Sequence, residues 1–258
     1  YPVNLTRGYG FDFAARINNT GDTQASDVWV NYTLPSGWIN SSGQLNAYYA
    51  SLNPSELIYS NITAYVGTSS ALGPGQVRID ASASDGRNDW KVLTIYVYAN
   101  TSLVAFTNGT YDTSQGVNWA NREDTVSVSA TLRFDNGSTI SGKNITFFDS
   151  TSGTYLGSAL TNSTGTASVA YTIPSAAAMG YHTINASFAG DPAIYVWGSF
   201  NITTLDIRTK PQITGITATP SVVGYGYNVT IQATVTDDKQ VDIVRVNLTY
   251  PNGSTSIT

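Results

Sequence analysis

The sequence predicts an all-β protein built from antiparallel β-sandwich domains in tandem, and three observations lead to that fold class. Short runs of alternating polar and apolar residues fill the 258-residue chain, whereas helical periodicity is scarce. Strand-favouring Val, Ile, Thr and Tyr are abundant, while only Glu56 and Glu123 are glutamates. Turn signals recur at intervals of roughly ten residues, a spacing typical of sandwiches.

The predicted strands follow the alternating runs in chain order, since side chains of a strand point alternately to its two faces. Turns are expected at "PSG" (35–37), "GPG" (73–75), "DNGS" (135–138) and "PNGS" (251–254). A single helix-like turn is expected at "PSAAAMG" (174–180). The clearest expected strands are 10–17, 27–34, 61–66, 92–99, 102–108, 124–134, 143–149, 166–173, 182–188, 228–235 and 244–250.

The strands divide into three sections. Residues 1–100 end in the apolar strand "VLTIYVYA", and residues 101–207 run from "SLVAFTN" to the end of "SFNITTLDI". A linker, "RTKPQ", leads into the section 208–258. So short a section would leave an unpaired edge and half a core. We therefore predict that the last domain is incomplete, and that further polypeptide or another chain completes its sheet.

The composition excludes several classes of protein. Charged residues make up 11% of the chain, against roughly 25% in an ordinary domain, and 62 Ser and Thr residues take their place. The net charge of −5 comes without a basic cluster, so no nucleic-acid partner is expected. Cysteine is absent, which excludes disulfides, thiolate zinc sites and Cys nucleophiles. No apolar run approaches ~20 residues, so no membrane span is expected in this segment, and the start at Tyr1 indicates a processed chain or an excerpt.

Asn-x-Ser/Thr, the acceptor signal for N-glycosylation, is unusually dense in the predicted strands. Fifteen of 21 asparagines stand in this sequon, whereas composition alone predicts about five. In "KNITFFD", Ile145 and Phe147 can face a core while Asn144 and Thr146 face outward, so the sequon fits a strand. We predict N-glycans at Asn4, Asn18, Asn31, Asn40, Asn61, Asn100, Asn108, Asn136, Asn144, Asn162, Asn185, Asn201, Asn228, Asn247 and Asn252. Turn chemistry is the alternative explanation for Asn18, Asn108, Asn136 and Asn252.

The same alternation is expected in other strands that carry a sequon. In "YNVTIQATV", the apolar residues from Val229 to Val235 should face a core while Asn228 faces outward. "VNLTY", "INASF", "SNITAYV" and "VWVNYTL" follow the same rule. Attached sugars would solvate a charge-poor surface and block edge-to-edge association of sheets.

Residue types that carry catalysis or bind metals are few. His182, the only histidine, lies in "GYHTINASF" without a nucleophile-elbow motif, and we interpret it as an ordinary strand residue. With two glutamates, no convincing carboxylate pair for a glycosidase is visible. We expect no enzymatic activity, no catalytic residues, no metal site and no cofactor other than covalent glycans. Calcium is the least improbable ion, with candidate loops at 84–89, 190–192 and 236–238 with Asp242.

Five Trp and 17 Tyr residues could form a sugar-binding platform, because aromatic faces stack on pyranose rings. Trp29 is expected to point outward beside Asn31, and "GYGYN" at 224–228 is expected to be an aromatic loop. The favoured interpretation is that the aromatic residues fill cores and domain junctions or pack beneath attached glycans.

Three stretches resemble domains of surface proteins. "FDFAARINNTGDTQASDVWVNYTLPSG" resembles the conserved-adhesion or CARDB-type domains. "LRFDNGSTISGKNITFFD", with "TNSTGTASVAYTIP" and "GYHTINASFAGD", resembles the bacterial Ig-like (Big) domains, and the stretch from "PQITGITATP" onward is similar to PKD- or Ig-like repeats. Together they resemble archaeal cell-surface and S-layer-type glycoproteins. The resemblance implies tandem Ig-like sandwiches and supplies no catalytic residues.

These observations predict a non-enzymatic, heavily N-glycosylated, extracellular structural protein, a segment or subunit of a cell-surface assembly such as an S-layer or filament. Its expected partners are copies of itself or other cell-surface proteins, contacted at glycan-free patches or by strand addition between subunits. The alternative is an adhesin or carbohydrate-binding stalk that displays a ligand-binding or enzymatic domain located elsewhere in the chain.

Overall fold

Strands dominate the computed structural model, which describes residues 3–222, 224, 226–239, 241, 243–249 and 253–257. The prediction of an all-β fold made of antiparallel sandwiches in tandem is confirmed. Among the described residues the only helical element is a 3₁₀ turn at Pro192–Ile194. In the stretch 174–180, where a single helix-like turn is expected, a turn closed by the hydrogen bond from Ala177 N to Pro174 O (3.0 Å) is followed by a bend.

Strands β1–β8 form the first sandwich. A five-stranded sheet, in the order β1-β8-β7-β3-β5, faces a three-stranded sheet, β2-β6-β4. β1 pairs with β8 in parallel, and the other pairs are antiparallel. The strands are Val3–Thr6 (β1), Tyr9–Asn18 (β2), Ala25–Thr33 (β3), Trp38–Gly43 (β4), Asn46–Leu52 (β5), Leu57–Val66 (β6), Gly73–Ser82 (β7) and Asn88–Tyr98 (β8).

The core of the first sandwich lies between these two sheets. Val30 and Val77 contribute from the larger sheet, and Phe13, Ile62 and Ala64 contribute from the smaller one. These residues alternate with exposed ones along their strands, as a half-buried strand requires. A smaller apolar cluster around Leu52 closes one end of the sandwich.

Strands β9–β17 form the second sandwich. A six-stranded sheet, β10-β11-β17-β16-β13-β14, faces a three-stranded sheet, β15-β12-β9. β11 pairs with β17 in parallel. The strands are Thr101–Thr107 (β9), Thr110–Asp112 (β10), Val117–Asn121 (β11), Thr125–Phe134 (β12), Asn144–Asp149 (β13), Thr154–Leu160 (β14), Thr166–Thr172 (β15), Gly180–Asp191 (β16) and Val196–Arg208 (β17).

The core of the second sandwich explains why β13 accepts an asparagine. Ile145 and Phe147 are each 0% exposed and pack in the largest apolar cluster of the chain, whereas Asn144 is exposed. β12 contributes four alternate residues from Val126 to Leu132 to the same core. Because the core face of β13 is complete, its outer face is free to carry polar residues.

In the described residues of the third section, the strands form two hairpins. β18 pairs with β19 and β20 pairs with β21, and the strands are Gln212–Thr219 (β18), Thr230–Thr236 (β19), Asn247–Thr249 (β20) and Thr255–Ile257 (β21). The expectation that apolar residues from Val229 to Val235 face a core is wrong for Val229 and Ile231, which are each 40% exposed, whereas Ala233 and Val235 are half-buried. A hairpin without a second layer has no face that is protected from solvent.

Candidate functional site: sequon faces and the sandwich junction

The predicted glycosylation sites fall into two groups by exposure. The exposed asparagines are Asn4, Asn18, Asn61, Asn100, Asn108, Asn136, Asn144, Asn162, Asn228 and Asn247. The half-buried ones are Asn31, Asn40, Asn185 and Asn201. Asn31 and Asn185 still alternate with buried residues of their strands, as predicted, and neighbouring groups cover part of each side chain. Asn252 lies outside the described residues.

Turn chemistry is present at some of the exposed sequons. Asn136 Oδ1 accepts hydrogen bonds from Ser138 N (3.0 Å) and Ser138 Oγ (2.6 Å). Asn162 Oδ1 accepts from Thr164 N (2.9 Å) in the same way, although sequence reasoning had not placed it among the turn asparagines. Asn108 Oδ1 accepts instead from a residue of another strand, Ser127 N on β12 (2.6 Å). All three amides bond through Oδ1, which leaves Nδ2, the atom that a glycan modifies, outside those bonds.

Two half-buried sequon amides hold backbone groups. Asn201 Oδ1 accepts a hydrogen bond from Ala105 N on β9 (3.1 Å), and Asn40 Nδ2 donates to Gly43 O (3.0 Å). Asn185 lies on β16 between Phe148 of β13 and Ile202 of β17, and its buried Oδ1 has no hydrogen-bond partner among the described residues. These asparagines therefore combine a sequon with a structural position.

Exposed aromatic residues surround the sequon at Asn31. Trp29 points outward as predicted and packs on Tyr48 of the neighbouring strand, with ring centroids 4.7 Å apart. Trp90, on β8, pairs with the β7 residue that lies opposite Asn31. The Arg78 guanidinium lies 4.9 Å over the Trp90 ring. The aromatic surface is thus centred on a sequon rather than separate from one. The second aromatic candidate, 224–228, includes Tyr225, which lies outside the described residues.

An aromatic stack joins the first sandwich to the second. Tyr98, at the end of β8, stacks on Trp197 with centroids 4.3 Å apart and meets Tyr195 edge-on at 5.5 Å. Trp197 Nε1 donates to Thr6 Oγ1 on β1 (2.9 Å). Gly73, at a φ of +97°, passes so close that an added Cβ would lie 3.0 Å from the Tyr195 ring. This position therefore favours glycine both by its backbone conformation and by the lack of space.

A buried ion pair and backbone hydrogen bonds reinforce the junction. Arg7 of the first sandwich forms a bidentate pair with Asp135 of the second, with N···O distances of 2.5–3.0 Å, and it also donates to Ser70 O (3.0 Å). The backbone of Ala99 exchanges hydrogen bonds with Tyr195 and Trp197 (2.9 and 3.0 Å). Contacts of this kind fix the relative orientation of the two sandwiches. Nothing in the sequence indicated that Arg7 and Asp135, which are 128 positions apart, form a pair.

Arg208 organises the far end of the second sandwich, where the third section begins. Its guanidinium pairs with Asp112 (2.6 Å) and Asp206 (2.8 Å) and lies 4.9 Å over the Trp119 ring. The hydrogen bonds from Arg208 and Ser114 hold the pKa of Asp112 well below its usual range. Lys210 pairs with Asp124 at 2.9 Å, and this contact lowers the pKa of that carboxyl.

His182 is a buried residue that pairs with Asp149 inside the second sandwich. Its ring lies within the second sandwich, almost completely buried, with Nδ1 2.6 Å from Asp149 Oδ2 and Nε2 2.9 Å from Ala178 O. Burial raises the pKa of Asp149, but the hydrogen bonds from Ser152 and His182 outweigh it and hold the pKa below its ordinary value. His182 and buried Ile184 are two positions apart on β16 and therefore lie on the same face of the strand. This alternation was the signal in the sequence that His182 points inward.

Carboxylates of the candidate calcium loops form ion pairs and hydrogen bonds with other groups of the protein. Asp85 pairs with Arg87 (3.2 Å), Asp191 pairs with Lys143 (2.6 Å), and Asp238 accepts from Thr209 (2.6 Å). Asp242 lies outside the described residues. Within the described part of the chain, no group of three or more His, Cys, Asp or Glu side chains is arranged to hold a metal ion.

Among the described residues, no helix is long and apolar enough to cross a membrane.

Comparisons with known proteins show similarity only at the level of structure. No family model and no curated protein matches the chain. The full ectodomain (Ig1–Ig3) of mouse nectin-like molecule 4 superposes with a TM-score of 0.44 at 12% identity, covering 92% of this chain and 76% of that one. A structure of a 1.5-MDa bacterial ice-binding adhesin superposes with a TM-score of 0.39 at 15% identity, covering 99% of this chain and 78% of that one.

A third structure, the tetra-tandem repeat in the extending region of a large adhesion protein, gives a TM-score of 0.32 at 16% identity, covering 99% of this chain and 61% of that one. Likeness at this level assigns no function. The CARDB, Big and PKD resemblances and an archaeal source stay predictions.

Proposed function

We propose that the chain is a non-enzymatic, heavily N-glycosylated extracellular structural protein, a segment or subunit of a cell-surface assembly such as an S-layer or filament. The mechanism is mechanical: sandwiches at a fixed relative orientation act as spacers, and glycans cover the surface between contacts. Copies of the same chain, or other cell-surface proteins, would bind at glycan-free patches or by strand addition.

The junction between the first two sandwiches carries this proposal. Its ion pair, ring stack and paired backbone combine three kinds of contact at one short connection. Interfaces between the domains of one chain allow relative motion unless they are large and hydrophobic. A near-buried bidentate pair beside stacked aromatic rings therefore suits a spacer, which must transmit position from one domain to the next.

The exposed sequons are the second support. Asn61 and Asn144 lie in the middle or at the start of strands whose other face is buried, so the core does not depend on the asparagine. Sugars there would supply the hydration that a surface with 11% charged residues lacks.

The alternative is a carbohydrate-binding stalk, and the exposed aromatic surface of Trp29, Tyr48 and Trp90 is the observation that favours it. Because the sequon at Asn31 lies among these rings, we infer that they pack beneath an attached glycan. Binding of a glycan array by a variant that lacks only this sequon, Thr33→Ala, would support the stalk.

Two measurements on the native protein test the proposal. Intact mass spectrometry should give a mass well above the 27.5 kDa of the bare chain, and glycopeptide mapping should locate sugars on the exposed sequons. Electron microscopy of the source cell surface should show regular polymers or a lattice labelled by antibodies against this chain. A mass equal to that of the bare chain would contradict the glycoprotein, and labelling confined to isolated stalks would contradict the assembly.

A further inference from the structure

A cleft of about 430 Å³ opens on the outer face of the six-stranded sheet of the second sandwich. Asn144 itself lines this cleft, together with Lys143, Thr146, Leu160, Ser187 and Asp191. Its volume lies within the range of about 300–1,000 Å³ that small-molecule sites occupy. A group attached to Asn144 would start at the edge of this cavity. Its attachment would therefore restrict what else can occupy the cavity.

One wall of the cleft is apolar. Leu160 of β14 lies directly opposite Asn144 in the strand register, and 65% of its surface is exposed. Covering this leucine would be favourable, because it removes apolar surface from water. The C–H face of a pyranose ring attached at the neighbouring position would cover it.

The opposite wall is polar and already ordered. Lys143 Nζ and Asp191 Oδ2 form an ion pair at 2.6 Å, with both side chains about three-quarters buried. Asp191 takes one of the three ammonium donors of Lys143, so donors remain for sugar hydroxyl groups. The bond from Lys143 lowers the pKa of Asp191, which keeps its carboxylate ready to accept. Thr146 Oγ1 and Ser187 Oγ, 2.6 Å apart, form the floor between the two walls.

We propose that this cleft holds the first sugars of a glycan attached to Asn144, with one ring face on Leu160 and hydroxyl groups on the Lys143–Asp191 pair. This inference rests on the proposed glycosylation. In the linkage reaction, Asn144 Nδ2 displaces a phosphate leaving group from the anomeric carbon of an activated sugar donor, and the amide loses one proton. A transferase other than this chain catalyses that step.

A seated glycan would bridge three neighbouring strands. Asn144 lies on β13, Leu160 on β14 and Asp191 on β16, so the sugars would cross the sheet perpendicular to its strands. β14 is the outermost strand of its sheet in the described part of the chain. The glycan would therefore stabilise an edge as well as hydrate it, which a freely mobile glycan does not do.

The test uses glycosylated protein purified from the producing cells and four versions of the chain: the natural one, Asn144→Gln, Leu160→Ser and the double variant. We expect Asn144→Gln to lower the melting temperature by about 2–4 °C in the natural background. In the Leu160→Ser background, Asn144→Gln should lower the melting temperature by less than half of this amount. Asn61→Gln, an exposed strand sequon of the first sandwich, is the matched control and should have no comparable effect. Nuclear Overhauser contacts between sugar ring protons and the Leu160 methyl groups give a direct readout.

The outcomes separate this inference from the proposed function. If Asn144 carries a glycan but shows no contacts to Leu160, or if Asn144→Gln and Asn61→Gln are equivalent, the cleft does not hold the sugars and the glycoprotein proposal stands. If other sequons carry glycans and Asn144 does not, the inference fails alone. If no sequon is modified, both fail.

Discussion

Asp149 is a charged residue held in the interior of the second sandwich. Its carboxylate is fully buried and accepts from the backbone N–H of Thr151 (2.9 Å), from Ser152 Oγ (2.6 Å) and from the His182 ring (2.6 Å). A buried charge is tolerated only when it is paired and hydrogen-bonded, and here both conditions hold. The pair therefore specifies how β13 and β16 meet the turn that follows β13.

We predict that Asp149→Ala lowers the free energy of unfolding by about 3–5 kcal/mol, because it leaves the buried imidazole and the backbone N–H groups of Thr151 and Ser152 without their acceptor. Urea denaturation followed by tryptophan fluorescence measures this change. Asp22→Ala, at an exposed turn position, is the control and should cost less than about 0.5 kcal/mol. Equal effects of the two variants would contradict the structural role of Asp149.

At the scale of elements, the free edge of β9 shows how the two sheets of the second sandwich are closed. β9 is the last strand of its sheet, and its Ala105 N–H faces β17, which belongs to the other sheet. The Asn201 side chain accepts a hydrogen bond from that N–H. Nearby, Thr101 Oγ1 donates a hydrogen bond to Trp197 O (2.9 Å). Side chains thus satisfy edge groups that no strand pairs, which protects the edge from pairing with another chain.

We predict that Asn201→Ala lowers the free energy of unfolding by about 1–2 kcal/mol, since it leaves a partly buried N–H without an acceptor. Thr203→Ala removes the same sequon but keeps the amide, so it separates the hydrogen bond from any glycan. Thermal unfolding of both variants, made in a host without N-glycosylation, should show a loss for Asn201→Ala only. A loss of the same size in Thr203→Ala would show that the amide contributes nothing specific.

Several elements were predictable from the sequence, and others were not. Alternation located β2, β3, β12, β13 and β16, because each alternates buried or half-buried apolar residues with more exposed ones along much of its length. The turn predicted at 73–75 is wrong: these residues begin β7, and Pro74 is tolerated because only β8 pairs there, while β3 pairs further along. Short polar strands such as β4 gave no signal, since they bury little on either face.

The candidate site was predictable only in part. The exposure of Asn144 followed from local alternation, whereas the half-burial of Asn201 depends on β9, which is distant in sequence. Likewise, the aromatic content suggested domain junctions, but the choice of Tyr98 and Trp197 depends on how the two sandwiches meet. Local patterns determine which face of a strand is buried, and tertiary contacts determine what lies over the other face.

At the scale of the whole molecule, the pair between Arg7 and Asp135 makes the two sandwiches depend on each other. We predict that Asp135→Ala lowers the free energy of unfolding by about 3 kcal/mol, because Arg7 keeps its charge in a nearly buried position. Calorimetry should show the single transition of the natural protein separating into two. Asp80→Ala, which removes the partner of exposed Arg78, is the matched control and should change the free energy of unfolding far less, because solvent screens that pair. A single, unshifted transition in Asp135→Ala would contradict the coupling.

The molecule should also lose stability in acid. Folding lowers the pKa of Asp80, Asp112, Asp124, Asp149, Asp191 and Asp238. The unfolded chain, with aspartate pKa values of about 3.9, binds more protons than the folded chain once the pH falls into that range. The stabilisation is therefore complete above about pH 5 and decreases progressively below about pH 4. Urea midpoints measured from pH 7 to pH 3 check this, and a constant midpoint across that range would contradict it.

The parallel pairing of β1 with β8 has a consequence for tension along the chain. β1 enters the first sandwich and β8 leaves it toward the second, and their four paired positions run side by side from Val3–Ile95 to Thr6–Tyr98. When two parallel strands are pulled from opposite ends, their hydrogen bonds are sheared together instead of being unzipped one after another. The first sandwich is consequently arranged to resist stretching along the chain, as the proposed role of a spacer requires.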